Sequence, residues 1–238
     1  MINFPIEKLV PLCREFGVEI TESQKEQLNL YANLLIEWNE KINLTAITDP
    51  NEVVIKHFYD CILFFKNIDV PQNVKIIDVG TGAGFPGMVL KIIRPDISLT
   101  LLDGLAKRLT FLEEVLSRLD LTAETVHMRA EDGGKNSAYR EQYDIATARA
   151  VARLNVLSEY CLPFVRIGGC FVAMKGPTAE EEIAAAEKAI TLMGGGKPKI
   201  ICETLTGNEE RSFVIVKKIS QTPPKYPRNP AKISKQPL

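Results

Sequence analysis

The segment IIDVGTGAGFPG, residues 76–87, constrains the fold of this chain more than any other. An apolar run long enough for a strand leads into a turn with glycines at 80, 82, 84 and 87, and Pro86 stands where a first helical turn tolerates it. Only glycine lets a backbone turn so tightly and come so close to a ligand. Such a strand, turn and helix belongs in a parallel sheet, and the sequence beyond residue 71 repeats the pattern. VKIIDV, LTLLD, AETVHM, YDIATAR and GGCFVAMK read as strands, alternating with helices from Pro86, over 106–119 and over 154–165. A further helix over 179–193 precedes KIICETL and RSFVIVKKI, two strands joined through Thr206, Gly207 and Asn208. The expected fold is α/β, Rossmann-like, with a mostly parallel doubly wound sheet and an antiparallel edge strand.

The remainder divides around this unit. Residues 1–70 read as a helical lobe: Thr21 or Ser23 can cap a helix carrying Leu28, Tyr31, Leu35 and Trp38 at three- and four-residue spacings, ending near Asn43. Residues 71–220 form the ligand-binding domain, and residues 221–238 a basic tail. The lobe holds 6 basic and 11 acidic groups, whereas the tail carries Lys225, Arg228, Lys232 and Lys235 with no acid. Five prolines in those eighteen residues predict an extended arm whose cations could neutralise phosphates, with Tyr226 free to stack on a base. No apolar run reaches membrane-spanning length, and the N-terminus lacks a signal-peptide core, so a cytoplasmic location is expected. The five scattered cysteines contain no C-x-x-C pair and read as reduced, mostly buried thiols, with no metal site.

Gly82, Gly84 and Gly87 satisfy G-x-G-x-x-G, and Asp103 ends the next strand nineteen residues after Gly84, where a ribose-binding carboxylate belongs. That pattern suits a nicotinamide dinucleotide as well as S-adenosylmethionine. Asp78 tilts the choice, because a carboxylate at the end of the first strand repels a pyrophosphate and welcomes a sulfonium and an amino group. At the third strand end, Glu131 and the backbone beside it can reach an adenine. Arg149 and Arg153 follow the fourth strand and Lys175 ends the fifth, a cationic rim suited to a phosphate-bearing substrate. After the fourth strand there is no N-P-P-Y or D-P-P-Y to cradle an exocyclic amine, and no Pro-Cys nucleophile. What remains suits an acceptor with a free lone pair, such as guanine N7, which needs positioning and no general base. A nicotinamide-dependent oxidoreductase and a non-catalytic ribosome-binding module are the competing classes.

DVGTGAGFPG, the DGLAKRLTFL segment at Asp103, TARA ending at Ala150, WNEKINLT at 38–45, KHFYD at 56–60 and Tyr226-Pro227-Arg228 together resemble the bacterial RsmG (GidB) family over nearly the whole chain. The family comprises 16S ribosomal RNA guanine-N7 methyltransferases. The resemblance implies methyl transfer from S-adenosylmethionine to a guanine near nucleotide 527 of the small-subunit RNA, with the RNA or the small ribosomal subunit as partner. It also implies that Gly80 and Phe85 line the cofactor, that Ala130 and Glu131 border its adenine, and that Arg149 closes the methionine side. The expected cofactor set is therefore Asp78, Gly80, Gly82, Gly84, Phe85, Asp103, Ala130, Glu131 and Arg149. Arg149 and Lys175 are the expected catalytic residues, and Arg149, Arg153, Lys175, Tyr226 and Arg228 the expected RNA contacts. The motif assigns no chemical role to Asn43, His57 or Asp60. The chain departs from the family pattern at Asn229, where a second basic residue often follows Y-P-R.

Overall fold

The computed structural model describes residues 2–207 and 209–238, so Asn208 of the expected turn lies outside the described residues. Seven strands form one sheet in the order β3-β2-β1-β4-β5-β7-β6: β1 Lys75–Val79, β2 Ser98–Asp103, β3 Glu124–His127, β4 Tyr143–Arg149, β5 Val165–Lys175, β6 Lys199–Leu205 and β7 Glu209–Lys217. Neighbours pair in parallel except β7, which runs against both β5 and β6 and makes this edge antiparallel. The strand order reverses between β1 and β4, and the crevice at their carboxyl ends is where such sheets bind ligands.

The strands read as continuous apolar runs because both faces are covered. On one face Ile76, Leu99, Leu101, Ile145 and Val172 meet α2 (Glu22–Ile42), α3 (Gly87–Ile93) and α4 (Ala106–Arg118), after a short α1 (Leu9–Arg14). On the other, Ile77, Val79, Leu102, Ala146 and Phe171 meet α5 (Leu154–Cys161) and α6 (Ala179–Leu192). Thr21 and Gln24 form a capping box that starts α2, and Asn43, at φ 50°, ends it. This helix is bound to the sheet's helices by polar contacts as well as by its apolar face. Gln24 Nε2 donates to the carbonyls of Ile92 and Ile93 at 3.0 Å, and Gln27 Nε2 to Leu119 O at 2.9 Å, satisfying carbonyls that the ends of α3 and α4 leave open.

Three features depart from the sequence reading. The helix beginning at Leu154 stops at Cys161 and continues as a 3₁₀ turn, Leu162–Phe164, because Pro163 has no N–H to extend it. Within the helical run over residues 50–67, Val53–Tyr59 is wound as a π-helix, which an apolar periodicity of 3.6 does not reveal.

The third is the tail, which is not a free extended arm. Tyr226 is buried at 7% exposure, and α7 (Pro230–Lys235) forms with Pro230 in its first turn and Asn229 Oδ1 accepting from Ala231 N–H at 3.0 Å. Arg228 grips Glu159 of α5 from Nε and Nη2 at 2.7–3.1 Å, and its backbone N–H adds a bond of 2.7 Å. A carboxylate as buried as Glu159 needs a cation, and the tail supplies it. Tyr226 and Arg228 are therefore built into the fold and not carried on a free arm. Replacing Arg228 with Ala leaves Glu159 buried and unpaired, and urea unfolding should show a loss of roughly 3 kcal/mol.

Candidate functional site

The glycine turn after β1 is held from several sides. Gly80 and Thr81 donate their N–H groups to Leu102 O at 2.8 and 3.1 Å, and Gly82 N–H donates to Asp103 Oδ2 at 2.9 Å. Gly80 and Gly84 have φ of 70° and 96°, and a Cβ at either would collide: 2.9 Å from Val151 at Gly80, and 2.7 Å from the Tyr31 hydroxyl at Gly84. That hydroxyl also donates to Ala83 O, joining α2 to the turn. Gly84 is thus required by packing against the lobe, whereas Gly80 faces a cleft.

This cleft, about 630 Å³, lies at the carboxyl ends of β1, β2 and β4 and beside the turn after β3. Gly80, Asp103, Ala130 and Glu131, four of the expected cofactor residues, line it together. Asp103 already accepts from Leu105 N–H, Gly82 N–H and Arg108 Nη1 at 2.9–3.3 Å, which leaves one carboxylate lone pair for a ligand hydroxyl. Glu131 accepts from Arg129 Nε at 3.2 Å.

Asp78, Gly82, Gly84, Phe85 and Arg149 do not line this cleft. Asp78 is wholly buried, with Oδ2 accepting from the Thr81 hydroxyl and Gly87 N–H at 2.8 and 2.9 Å and Oδ1 without a partner. Burial pushes its carboxyl up to about 6, against the opposing pull of Gly87, Thr81 and Arg149. Asp78 ties the turn to the start of α3 through these two bonds.

A second hollow of about 350 Å³ adjoins the first, and Ala150, at φ 57°, lines both. Arg149 is its hub. Nη1 donates to Asp60 Oδ2 at 2.7 Å and to Lys56 O at 3.1 Å, while Nη2 donates to His57 Nδ1 at 3.0 Å. The guanidinium lies 4.8 Å from the Phe85 ring centroid, and the His57 ring stacks on Phe85 at 4.4 Å. An arginine only donates, so His57 accepts at Nδ1 and must carry its proton on Nε2, which donates to Thr45 Oγ1 at 2.9 Å. Burial, reinforced by Arg149, pushes His57 down to about 3, so it stays neutral near pH 7. Burial also raises the Asp60 carboxyl, opposed by Arg149.

The expected cationic rim is largely neutralised from within. Arg149 is paired with Asp60, and Lys175 donates to Glu182 Oε2 at 2.7 Å and Ala152 O at 2.8 Å. Arg153 is exposed and lines a separate, smaller hollow with Glu181 and Glu182. Sequence reasoning missed Arg211 of β7, whose Nε lies 3.4 Å from Asp60 Oδ1, and Glu182 of α6. Neither sits in a short motif, since sheet topology alone brings them here. His57 and Asp60 left a trace as polar residues within an apolar run. Among the described residues no group of three or more His, Cys, Asp or Glu is placed to hold a metal ion.

The depressed His57 pKa makes the fold sensitive to acid. The unfolded chain binds this proton near pH 6.5 and the folded chain only near 3, so stability is full above pH 6.5 and declines as pH falls through that window. Urea titrations should show wild type losing roughly 2 kcal/mol more than His57→Gln between pH 7 and pH 5.

Residues 24–213 match the family model GidB, described as rRNA small subunit methyltransferase G. A protein named Ribosomal RNA small subunit methyltransferase G from Oceanobacillus iheyensis is 47% identical over 234 residues, 98% of each chain. Its namesake from Alkaliphilus oremlandii is 51% identical over 224 residues, 93% of this chain and 94% of that one. Among solved structures, a SAM-dependent O-methyltransferase from Thermotoga maritima superposes with a TM-score of 0.54 at 14% identity, covering 79% of this chain and 72% of that one. This last likeness shows a shared Rossmann-like methyltransferase fold. With a model matching most of its length and relatives this similar end to end, the chain belongs to the GidB family of small-subunit ribosomal RNA methyltransferases.

Proposed function

We propose that this protein transfers a methyl group from S-adenosylmethionine to N7 of one guanine in 16S ribosomal RNA, in the decoding-site loop near nucleotide 527, without a general base. The observation that carries this reading is the pair of hollows meeting at Ala150, one lined by Gly80, Asp103 and Glu131 and the other by His57, Asp60, Arg149 and Lys175. Membership of a methyltransferase family sets aside the nicotinamide and non-catalytic alternatives.

The residues of the larger cleft fit S-adenosylmethionine. Asp103 ends β2 and Glu131 lies in the helical turn after β3, both as acceptors for hydroxyl and amino groups, and Asp78 Oδ1 is an unpartnered acceptor beneath the glycine turn. The acceptor oxygens of Asp103 and Glu131 suit the hydroxyl and amino donors of a nucleoside. When bound, S-adenosylmethionine supplies an electrophilic methyl on its sulfonium. Gly80 leaves room for it, Asp103 and Glu131 orient the nucleoside end, and Arg149 braces the glycine turn through Phe85.

The smaller hollow suits an acceptor that brings its own lone pair. Both nitrogens of His57 are engaged, by Arg149 and Thr45, and Asp60 and Glu182 are ion-paired, so none of these groups is poised to remove a proton. Guanine N7 has no proton to lose. Its lone pair forms the new N–CH₃ bond as the S–CH₃ bond breaks and its electrons return to sulfur. Lys175 spends two of its three N–H groups on Ala152 and Glu182, and the third can donate to guanine O6.

The test is transfer of labelled methyl to small-subunit particles and to naked 16S RNA from cells lacking this protein, followed by nucleoside digestion and site mapping. Label in 7-methylguanosine at a single loop position is expected; label in another nucleoside would overturn the assignment of the atom. In the same assay Lys175→Met should lower kcat/KM for RNA about tenfold or more, with the affinity for S-adenosylhomocysteine retained.

A further inference from the structure

The chain leaves β7 at the end of the sheet opposite the cleft, because β7 runs antiparallel and Lys217 pairs with Cys170 at the middle of β5, while Ser212 pairs with Lys175 at its carboxyl end. It then travels back along the α5 side, and almost every step is anchored. Lys218, fully buried, donates from Nζ to Leu162 O at 2.7 Å and to Thr222 Oγ1 at 2.6 Å. Arg140 donates to the carbonyls of Thr222 and Tyr226. Pro227 packs so closely on Gly134 that a Cβ there would lie 3.1 Å from its ring. Arg228 holds Glu159, Ile233 is buried, and the next residue, Ser234, stands in the wall of the cofactor cleft.

A buried ion pair such as Arg228–Glu159 contributes little net stability compared with an apolar pair, but it specifies position closely. The anchors therefore serve to deliver α7 to one place, where Ser234 lines the cleft together with Gly80 and Tyr160. The family model stops at residue 213, before this segment begins.

From this we infer that the C-terminal strap, residues 218–238, is a wall of the cofactor cleft, with Ser234 against the bound cofactor and Arg228 as the positioning residue that holds α7 in place. The inference rests on the reading of that cleft as the S-adenosylmethionine site. The strap governs how tightly the cofactor is held and how fast the spent product leaves.

Calorimetry and stopped-flow binding of S-adenosylhomocysteine to the full-length protein test it. Ser234→Trp, at an exposed position that the fold does not need buried, should melt as wild type and bind roughly tenfold more weakly. Arg228→Lys keeps the charge but loses the two-pronged grip, and should speed dissociation several-fold. Its KM for S-adenosylmethionine should rise with the KM for RNA unmoved, a split that general destabilisation would not produce. Wild-type binding with unchanged affinity in Ser234→Trp overturns the inference, even if Arg228→Lys fails to fold. If wild type itself does not bind S-adenosylhomocysteine, the reading of the cleft falls first and the inference with it.

Discussion

The buried guanidinium of Arg149 joins parts of the chain that share no sequence neighbourhood. It ends β4 at the point where the strand order reverses, pairs with Asp60, donates to His57 Nδ1, and covers the ring of Phe85 from the glycine turn. Phe85 in turn packs 5.5 Å from Tyr31 of α2, whose hydroxyl binds the turn itself. Lobe, turn and sheet therefore meet at one charge that cannot be neutralised by losing a proton. Such a charge is costly in an apolar setting unless it is fully partnered. The requirement explains why Asp60, His57 and the Lys56 carbonyl all lie on one segment of the lobe, and the π-winding of Val53–Tyr59 lies in the same segment.

That node separates two kinds of surface. On its outer side, the cleft presents carboxylates at strand ends, while the cations beside them are already engaged: Arg108 with Asp103, Arg129 with Glu131, Lys175 with Glu182. The site is thus arranged as ion pairs whose unused hydrogen-bonding capacity points to ligands, not as a patch of one sign. Such a site orients a ligand through geometry, and its interactions weaken less with salt than those of free surface lysines would.

Much of the fold was legible because strands covered on both faces leave an uninterrupted apolar signature. YDIATAR and KIICETL match β4 and β6 residue for residue, and α4 ends one residue from its expected limit. The lobe's winding and the tail were not legible. Five prolines argue locally for an extended arm, and nothing within those eighteen residues discloses that Glu159, far earlier in the chain, is buried and awaiting a cation. The same limit applied to the site. The places of Asp103 and Glu131 follow from strand ends, which sequence reveals, and that of Ala130 from the family resemblance, whereas Arg211 and Glu182 approach through sheet order and helix packing, which sequence does not show.

The glycine turn shows how one short pattern can answer two demands. Read as a ligand motif, each glycine in G-T-G-A-G would be expected at the cofactor. Only Gly80 lines the cleft, while Gly84 is required because Tyr31, Leu112 and Met88 leave no room for a side chain, and Gly87 because Asp78 lies 2.8 Å from where its Cβ would stand. Asp78 belongs to the same logic: its carboxylate is spent mainly on shaping the turn, and its effect on a ligand passes through the backbone it positions. A motif of this kind describes a backbone path, part of it shaped by the ligand and part by the helix packed behind it. Changing the helix would alter the cleft without touching a residue that lines it, so Tyr31, 52 residues from its hydrogen-bond partner Ala83, shapes the glycine turn as much as several of the glycines do.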